Sequence, residues 1–332
     1  MRLIILILAI ILIPISSTYA DNTFIARPDV QKFIQEMVKK HHFKKQELVT
    51  LFTAVKVRPQ VLHQMNKPLE KNPWHTYQLL FVNEWRIQHG VQFWNKYADV
   101  LARAEKKYGV PASIIVATIG IETKYGQRTG EHRVIDALAN LGFSDSRRAA
   151  FFRKELEQFL LLTREQHLNP LSVMGSYAGA IGQPQFMPSS YRHYAVNFSG
   201  SGKIDLMHDE VDVIGSIANY YSKSGWKMKK PVAIPTITIG NRQQSLLNKL
   251  KNNQKVSIKE LEQYGIIPKT KNIDMRDKVK IIVLESRSNK EYWLGYNNFD
   301  VIKLYNPSDL YAMAVFQLST YITTLRERLN YG

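Results

Sequence analysis

The 332-residue chain contains no cysteine. Disulfides, thiolate metal sites and a lipid-anchored cysteine behind a leader are therefore excluded. The fold must be held by its core alone, and 332 residues at 45% hydrophobic content suffice for two or three compact units. Acidic residues are scarce: 28 Asp and Glu stand against 45 Lys and Arg, a formal net charge of +17. Internal repeats, low-complexity tracts, a basic helix and an RNA-binding signature are all missing.

What is present begins with an apolar leader. Met1-Arg2 gives a short positive start, Leu3–Ile13 is unbroken apolar, and Pro14 ends the run. Ser16, Ser17, Thr18 and Ala20 are small residues, with Thr18 and Ala20 at −3 and −1 of a cut before Asp21. Residues 1–20 read as a secretory signal peptide. The alternative, a retained membrane anchor, needs roughly 20 apolar residues, and this run is too short. The mature protein is expected to be soluble in an exported compartment, the periplasm. A basic chain attracts nucleic acid, anionic lipid or an acidic cell-wall polymer. Export argues against nucleic acid. The lysines are also dispersed, as at Lys39-Lys40, Lys44-Lys45 and Lys227–Lys230, which fits a solvated basic surface.

The periodicity is mostly helical. Residues 29–65 read as helix, with Val30, Phe33, Ile34 and Met37 on one face and Leu48, Leu51 and Phe52 continuing it. A loop is expected around Pro68 and Pro73. "GVQFWNKYADVLARAEKKYGV" reads as one amphipathic helix ending at Gly109, and Pro111 starts the next. Further helices are expected over Ser146–Glu165 and over "EVDVIGSIANYYSKSGW", with Gly225 as its stop. From Pro231 to Leu304 the texture changes: "VAIPTITIG", "KVKIIVLES", "EYWLGY" and "DVIKLY" read as short strands. "DLYAMAVFQLSTYITTLRERL" returns to helix. The fold class is α+β, mainly helical, with a small β-rich subdomain.

Two stretches carry chemistry. "PASIIVATIG" is apolar enough to be a buried helix, and Glu122 emerges at its C-terminal end in "IETKYG". Desolvation and the negative end of the helix dipole disfavour a carboxylate there, so Glu122 is expected to hold a proton near neutral pH, as a general acid must. The alternative is a cap, or a pair with Lys124 or Arg128. In "GSYAGAIGQPQFMPSSY" small residues crowd Ser176–Gly182 and permit close backbone approach to another element or to a ligand. Gln185 and Phe186 follow. An amide beside an aromatic ring suits a sugar, whereas a tight turn with structural glycines is the plainer reading.

"IGIETKYGQRTG", "SRRAAFF", "GSYAGAIGQPQFMPSSYRHYAVNFSGSGKIDL" and "LYNPSDLYAMAVFQL", in this order, closely resemble the B-type membrane-bound lytic murein transglycosylases, from about Arg27 to the C-terminus. The resemblance implies a lysozyme-like core flanked by a helical domain and a small β domain. With the leader at 1–20, the chain divides into a helical domain (21–100), the catalytic core (101–230), a β-rich subdomain (231–304) and a C-terminal helix returning to the core (305–332). The resemblance implies cleavage of the β-1,4 bond between N-acetylmuramic acid and N-acetylglucosamine in peptidoglycan, leaving a 1,6-anhydromuramoyl end. Its catalytic glutamate matches Glu122. Its groove residues match Arg147, Arg148, Ser176, Gln185, Phe186, Tyr305, Asn306 and Tyr311, and Tyr77 more loosely. No cofactor is required. A lysozyme-type hydrolase, which would need a second carboxylate or a positioned water, and a non-catalytic peptidoglycan-binding protein are the competing functions.

"NFSGSGKID" has the outline of a calcium loop, and the resembled family carries an EF-hand-like calcium site there. This sequence departs from it. Asn197, Ser199 and Ser201 occupy the first, third and fifth positions without a carboxylate, Lys203 the seventh, and His208 stands where the last glutamate belongs. Asp212 aligns best as the late acidic ligand. Calcium affinity falls with carboxylate count, so an empty structural turn is the favoured expectation.

Overall fold

A computed structural model describes residues 24–65, 71–250 and 254–331. The leader assigned to residues 1–20 lies outside the described residues. The chain divides into two units between Val57 and Arg58. In the first, α1 (Pro28–His41) starts on a proline whose missing N–H costs nothing at that position. It buries the predicted stripe Val30, Phe33, Ile34 and Met37 and ends at a left-handed His42. α2 (Lys45–Thr53) buries Leu48 and Phe52. The Phe33 and Phe52 rings meet edge-on at 5.9 Å, a favoured aromatic geometry.

The second unit opens with α3 (Pro59–Met65), α4 (Trp74–Phe81) and α5 (Glu84–Lys96), the last capped by the Asn83 side chain. The single helix expected up to Gly109 is in fact two. The chain leaves helical geometry at Tyr97 (φ −114°, ψ 28°) and resumes as α6 (Ala98–Tyr108). The break lets α5 bury Gly90, Val91 and Phe93 while α6 buries Leu101 and Ala104 against a different neighbour. Gly109 then adopts φ +72° and stops α6 as predicted. α7 (Ala112–Thr123) is followed by β1 (His132–Arg133), α8 (Val134–Gly142), α9 (Ala149–Glu165), β2 (Met174–Gly175), α10 (Pro188–Tyr194) and α11 (Glu210–Lys223). α9 begins three residues later than expected, because Ser146 Oγ accepts from the Arg148 N–H and holds a turn there.

A five-stranded antiparallel sheet follows, in the order β4-β6-β7-β3-β5. It is built from β3 (Ala233–Thr238), β4 (Val256–Ser257), β5 (Ile266–Pro268), β6 (Lys278–Glu285) and β7 (Lys290–Gly295), with α12 (Gln243–Lys249) and α13 (Ile258–Gln263) between strands. β6 and β7 form the longest ladder, pairing Ile281 with Leu294 and Val283 with Tyr292. Ile234, Leu246, Ile258, Leu261, Val279 and Leu294 make a separate buried core for this region. The "DVIKLY" run is not a strand. It lies in α14 (Asn297–Tyr305), where Asn298, Phe299, Val301 and Ile302 are buried. That is the i, i+1, i+3, i+4 spacing of a helix face, which the six residues of "DVIKLY" alone do not reveal. α15 (Asp309–Tyr331) closes the chain and packs along α7 and α5.

Candidate active site

Ten of the twelve residues of α7 are buried, and only Ser113 and Glu122 reach solvent even partly. The helix is apolar all round because helices cover it on every side, so its sequence shows no polar face. Pro111 is its N-cap rather than its first helical residue. At the other end Lys124 (φ 52°), Tyr125 (φ 58°) and Gly126 (φ 86°) are consecutively left-handed and turn the chain sharply just beyond Glu122. The turn folds Tyr125 back over the helix, where its hydroxyl donates to the Arg86 carbonyl at 2.6 Å. A Cβ on Gly120 would sit 2.5 Å from that phenol oxygen, so only glycine fits there. Arg86, buried at 6% exposure, donates to the carbonyls of Gly120 (2.9 Å) and Leu80 (2.6 Å). The end of α7 is thus braced by charge-assisted hydrogen bonds away from the carboxyl itself.

Three tyrosines stand near Glu122, and Tyr220 packs against two of them. α15 delivers Tyr311, whose hydroxyl donates to Glu122 Oε1 at 2.5 Å. Tyr305, at the end of α14, stacks on Tyr311 with centroids 6.3 Å apart and planes 13° from parallel. Its hydroxyl donates to the Pro184 carbonyl at 2.5 Å. Tyr221 of α11 shares a 2.9 Å hydrogen bond with Thr118 of α7. Tyr220 donates to the Leu304 carbonyl at 2.6 Å. Burial, and then the nearby negative charge of Glu122, push the Tyr305 and Tyr311 phenols far above their ordinary range. Burial raises Tyr221 too, against the opposing pull of its bond to Thr118. All three are therefore neutral hydrogen-bond donors at physiological pH.

The small-residue loop lies beside this wall. Ser176 Oγ accepts from the N–H groups of Ala178 (3.3 Å) and Ala180 (3.0 Å) and shapes the turn. Gln185 is left-handed (φ 49°), and its amide donates to the carbonyls of Thr129 (3.0 Å) and Gly182 (2.8 Å). Phe186 is 2% exposed and packs 5.7 Å from Tyr305 and 5.6 Å from Tyr220. Its ring lies beneath the surface and presents no open face to a sugar. Tyr77 is also a core residue, 1% exposed between Trp74 and Phe81. Arg147 and Arg148 are exposed at the start of α9, with the Arg148 guanidinium over the rings of Phe151 (5.0 Å) and Phe152 (5.1 Å). Asn306 follows Tyr305 directly, and its carbonyl accepts from the Ser308 N–H at 2.7 Å. Hydrogen bonds and ring contacts thus join Glu122, Tyr305, Tyr311 and Phe186, whereas the two arginines stand exposed at the start of α9. Sequence reasoning passed over Arg86, Thr118, Tyr125 and Tyr221. The available signal was polar groups inside apolar runs, each of which must find a buried partner.

The calcium-like loop closes on itself. Asp212 is fully buried, and its carboxylate accepts from the N–H groups of Phe198 (2.8 Å), Ser199 (2.8 Å) and Asp205 (3.0 Å). Asn197 Oδ1 accepts from Gly200 N–H (2.8 Å) and Ser199 Oγ (3.3 Å). Ser199 and Ser201 share a hydrogen bond at 3.2 Å, and Ser201 Oγ donates to the Lys203 carbonyl at 3.0 Å. Among the described residues, no three His, Cys, Asp or Glu side chains are placed to hold a metal ion.

The family described as "Transglycosylase SLT domain" matches residues 26–320. The membrane-bound lytic murein transglycosylase B of Escherichia coli (strain K12) is 41% identical over 313 residues, which cover 91% of this chain and 85% of that one. The crystal structure of the soluble lytic transglycosylase SltB1 from Pseudomonas aeruginosa is 44% identical and superposes with a TM-score of 0.83, over 90% of this chain and 100% of that one. The Escherichia coli lytic transglycosylase Slt35 in complex with calcium is 41% identical with a TM-score of 0.83, over 91% of this chain and 95% of that one.

Proposed function

We propose, from the premise that this chain belongs to the transglycosylase SLT domain family, that Glu122 is the acid and then the base of its reaction. The protein is a lytic murein transglycosylase with a lysozyme-like core. Its partner is the peptidoglycan glycan strand. It breaks the β-1,4 bond between N-acetylmuramic acid and N-acetylglucosamine without water, leaving 1,6-anhydromuramoyl ends. The hydrogen bond from Tyr311 to Glu122 carries the reading of the site: it orients the one carboxyl of a helix whose other residues, Ser113 apart, are buried.

Glu122 gives its proton to the bridging oxygen, and the C1–O bond breaks with its electron pair on the leaving sugar. The substrate's own 2-acetamido oxygen stabilises the cation at C1. The C6 hydroxyl of the same muramoyl residue attacks C1 and returns its proton to Glu122. Attack within one sugar benefits from high effective molarity, so one carboxyl serves both halves. Tyr311 acts as a neutral donor to that carboxyl, and Tyr305 stacks behind it with its own hydroxyl on the Pro184 carbonyl. Ser176, Gln185 and Asn306 line the sugar path, Phe186 and Tyr77 support it from below, and Arg147 and Arg148 meet the lactyl or peptide carboxylates.

The catalytic core is assigned to residues 101–230, the helical domain to 21–100, and the β-rich subdomain to 231–304. The C-terminal helix (305–332) returns Tyr311 to the core. No cofactor takes part. The loop around Asn197, Ser199, Ser201 and Lys203 does not fit calcium: its one aligned carboxylate, Asp212, already accepts three backbone N–H groups, and hydroxyls alone bind calcium weakly. No helix among the described residues is long and apolar enough to cross a membrane. The working place is the periplasm, after removal of residues 1–20.

Glu122→Gln is the deciding variant. It keeps the shape and the hydrogen bond from Tyr311 but cannot donate and then accept the proton. General acid–base catalysis is worth about 10²–10⁴-fold, so release of anhydromuropeptides should nearly vanish while binding to insoluble peptidoglycan persists. Wild-type fragments should be lighter than hydrolytic ones by one water. Reducing ends in their place would make the enzyme a hydrolase.

A further inference from the structure

The self-closed loop and the end of α7 are joined by one buried residue. Gln183, 4% exposed, donates its backbone N–H to the Leu206 carbonyl at 2.8 Å and its side-chain amide to the Met207 carbonyl at 3.5 Å. Its own carbonyl accepts from Thr123 Oγ1 at 3.0 Å. Thr123 is the residue after Glu122, is 1% exposed, and accepts from the Gly126 N–H at 3.1 Å through the same hydroxyl. The approach is close throughout. A Cβ on Gly182 would fall 2.4 Å from the Leu206 carbonyl oxygen, and one on Gly126 would fall 2.8 Å from Gln183 Oε1.

Beyond Leu206 the same segment is tied down by two carboxylates. Asp205 Oδ1 accepts from the N–H groups of Met207 (2.8 Å) and His208 (2.9 Å). Asp212 Oδ2 accepts from the Asp205 N–H at 3.0 Å, while its Oδ1 holds Phe198 and Ser199. The Asp212 carboxylate therefore cross-links the two ends of the loop, the task a bound cation performs when such a loop is loaded. Gln183 Oε1 has no hydrogen-bond partner despite its burial. An orphaned buried acceptor is costly, and it persists here beside a residue whose other polar groups all bridge separate segments.

We infer that Thr123 and Gln183 are positioning residues that hold the end of α7, and with it the Glu122 carboxyl, on the Asp212-closed loop. The inference rests on the reading of Glu122 as acid and base. The closure reaches Glu122 through Asp212, the 205–207 segment, Gln183 and the Thr123 hydroxyl in turn. Neither positioning residue touches the sugar. Their loss misplaces a carboxyl without emptying the groove, so turnover falls and substrate affinity does not.

Thr123→Val keeps the shape and removes the hydroxyl; Thr123→Ser restores it. On purified peptidoglycan, Thr123→Val should lower kcat about tenfold with KM unchanged, less than the ~10²-fold that a 1 Å misplacement costs. Thr123→Ser should return most of it. Asp212→Asn turns an N–H donor toward backbone donors and should lower kcat by a similar factor, with no recovery on adding calcium. Asp205→Ala takes its place if that variant does not fold. In the double variant with Thr123→Val, effects through one relay do not multiply, so kcat stays near the single-variant value. Unchanged kcat in Thr123→Val, equal loss in Thr123→Ser, or full multiplication in the double variant overturns the inference. Glu122→Gln is assayed alongside. Near-normal turnover there overturns the role of Glu122 and the relay with it, while its inactivity beside a fully active Thr123→Val overturns the relay alone.

Discussion

The Glu122 carboxyl needs two conditions to serve as a proton donor: few competing waters and one orientation. The first comes from its helix, where only Ser113 and Glu122 are not buried. The second comes from Tyr311, whose hydroxyl lies 2.5 Å from Oε1. Tyr311→Phe separates the two. It keeps the ring and its stacking on Tyr305 but removes the donor. A hydrogen bond to a neutral carboxyl is worth about 0.5–1.5 kcal/mol, so kcat should fall about two- to tenfold while peptidoglycan binding and the melting temperature change little. Steady-state kinetics with a thermal melt checks this. A loss of binding equal to the loss of turnover would place Tyr311 in substrate binding instead. That Glu122 stands near the end of a buried helix was legible in the sequence, because a carboxylate behind an apolar run is anomalous. Tyr125 and Arg86 were not, because each is ordinary in its own segment and gains meaning only from the carbonyl it meets across the fold.

Among the elements, the loop from Asn197 to Asp212 shows how far composition reaches. Three neutral side chains at the early ligand positions already argue against a high-affinity metal site. The fate of Asp212 was not readable. It sits where a late ligand would, yet its oxygens turn to three backbone N–H groups. A chelator should therefore leave both turnover and melting temperature where they were. A drop that calcium reverses would show that the loop binds metal after all. The other elements follow the same division. The stripe of α1 and the apolar strand runs of β3, β6 and β7 are local patterns, and they appear where the sequence placed them. The break at Tyr97 and the helical state of "DVIKLY" depend on which neighbour each face meets, and local pattern carries no record of that.

At the scale of the whole molecule, residues 1–20 read as a secretory leader. The exported form should begin at Asp21, which N-terminal sequencing of periplasmic protein checks; an intact Met1 on membrane-associated protein would overturn it. The charge of +17 suits an anionic cell-wall partner without choosing a groove for it. By itself the sequence determined the mainly helical class, the β-rich stretch before the last helix, the buried helix with Glu122 near its end, and a loop poor in carboxylates. These are consequences of periodicity, burial and ligand chemistry, all of which act over short stretches of chain. Only the tertiary structure decided that Tyr311, 189 positions further along the chain, would donate to Glu122. It alone decided that Phe186 and Tyr77 would be buried rather than open, and that Asp212 would close its loop and reach Thr123 through Gln183. Such contacts are set by how helices pack around α7, and a hydroxyl or carboxylate finds its partner only when that packing brings two distant segments within hydrogen-bonding reach.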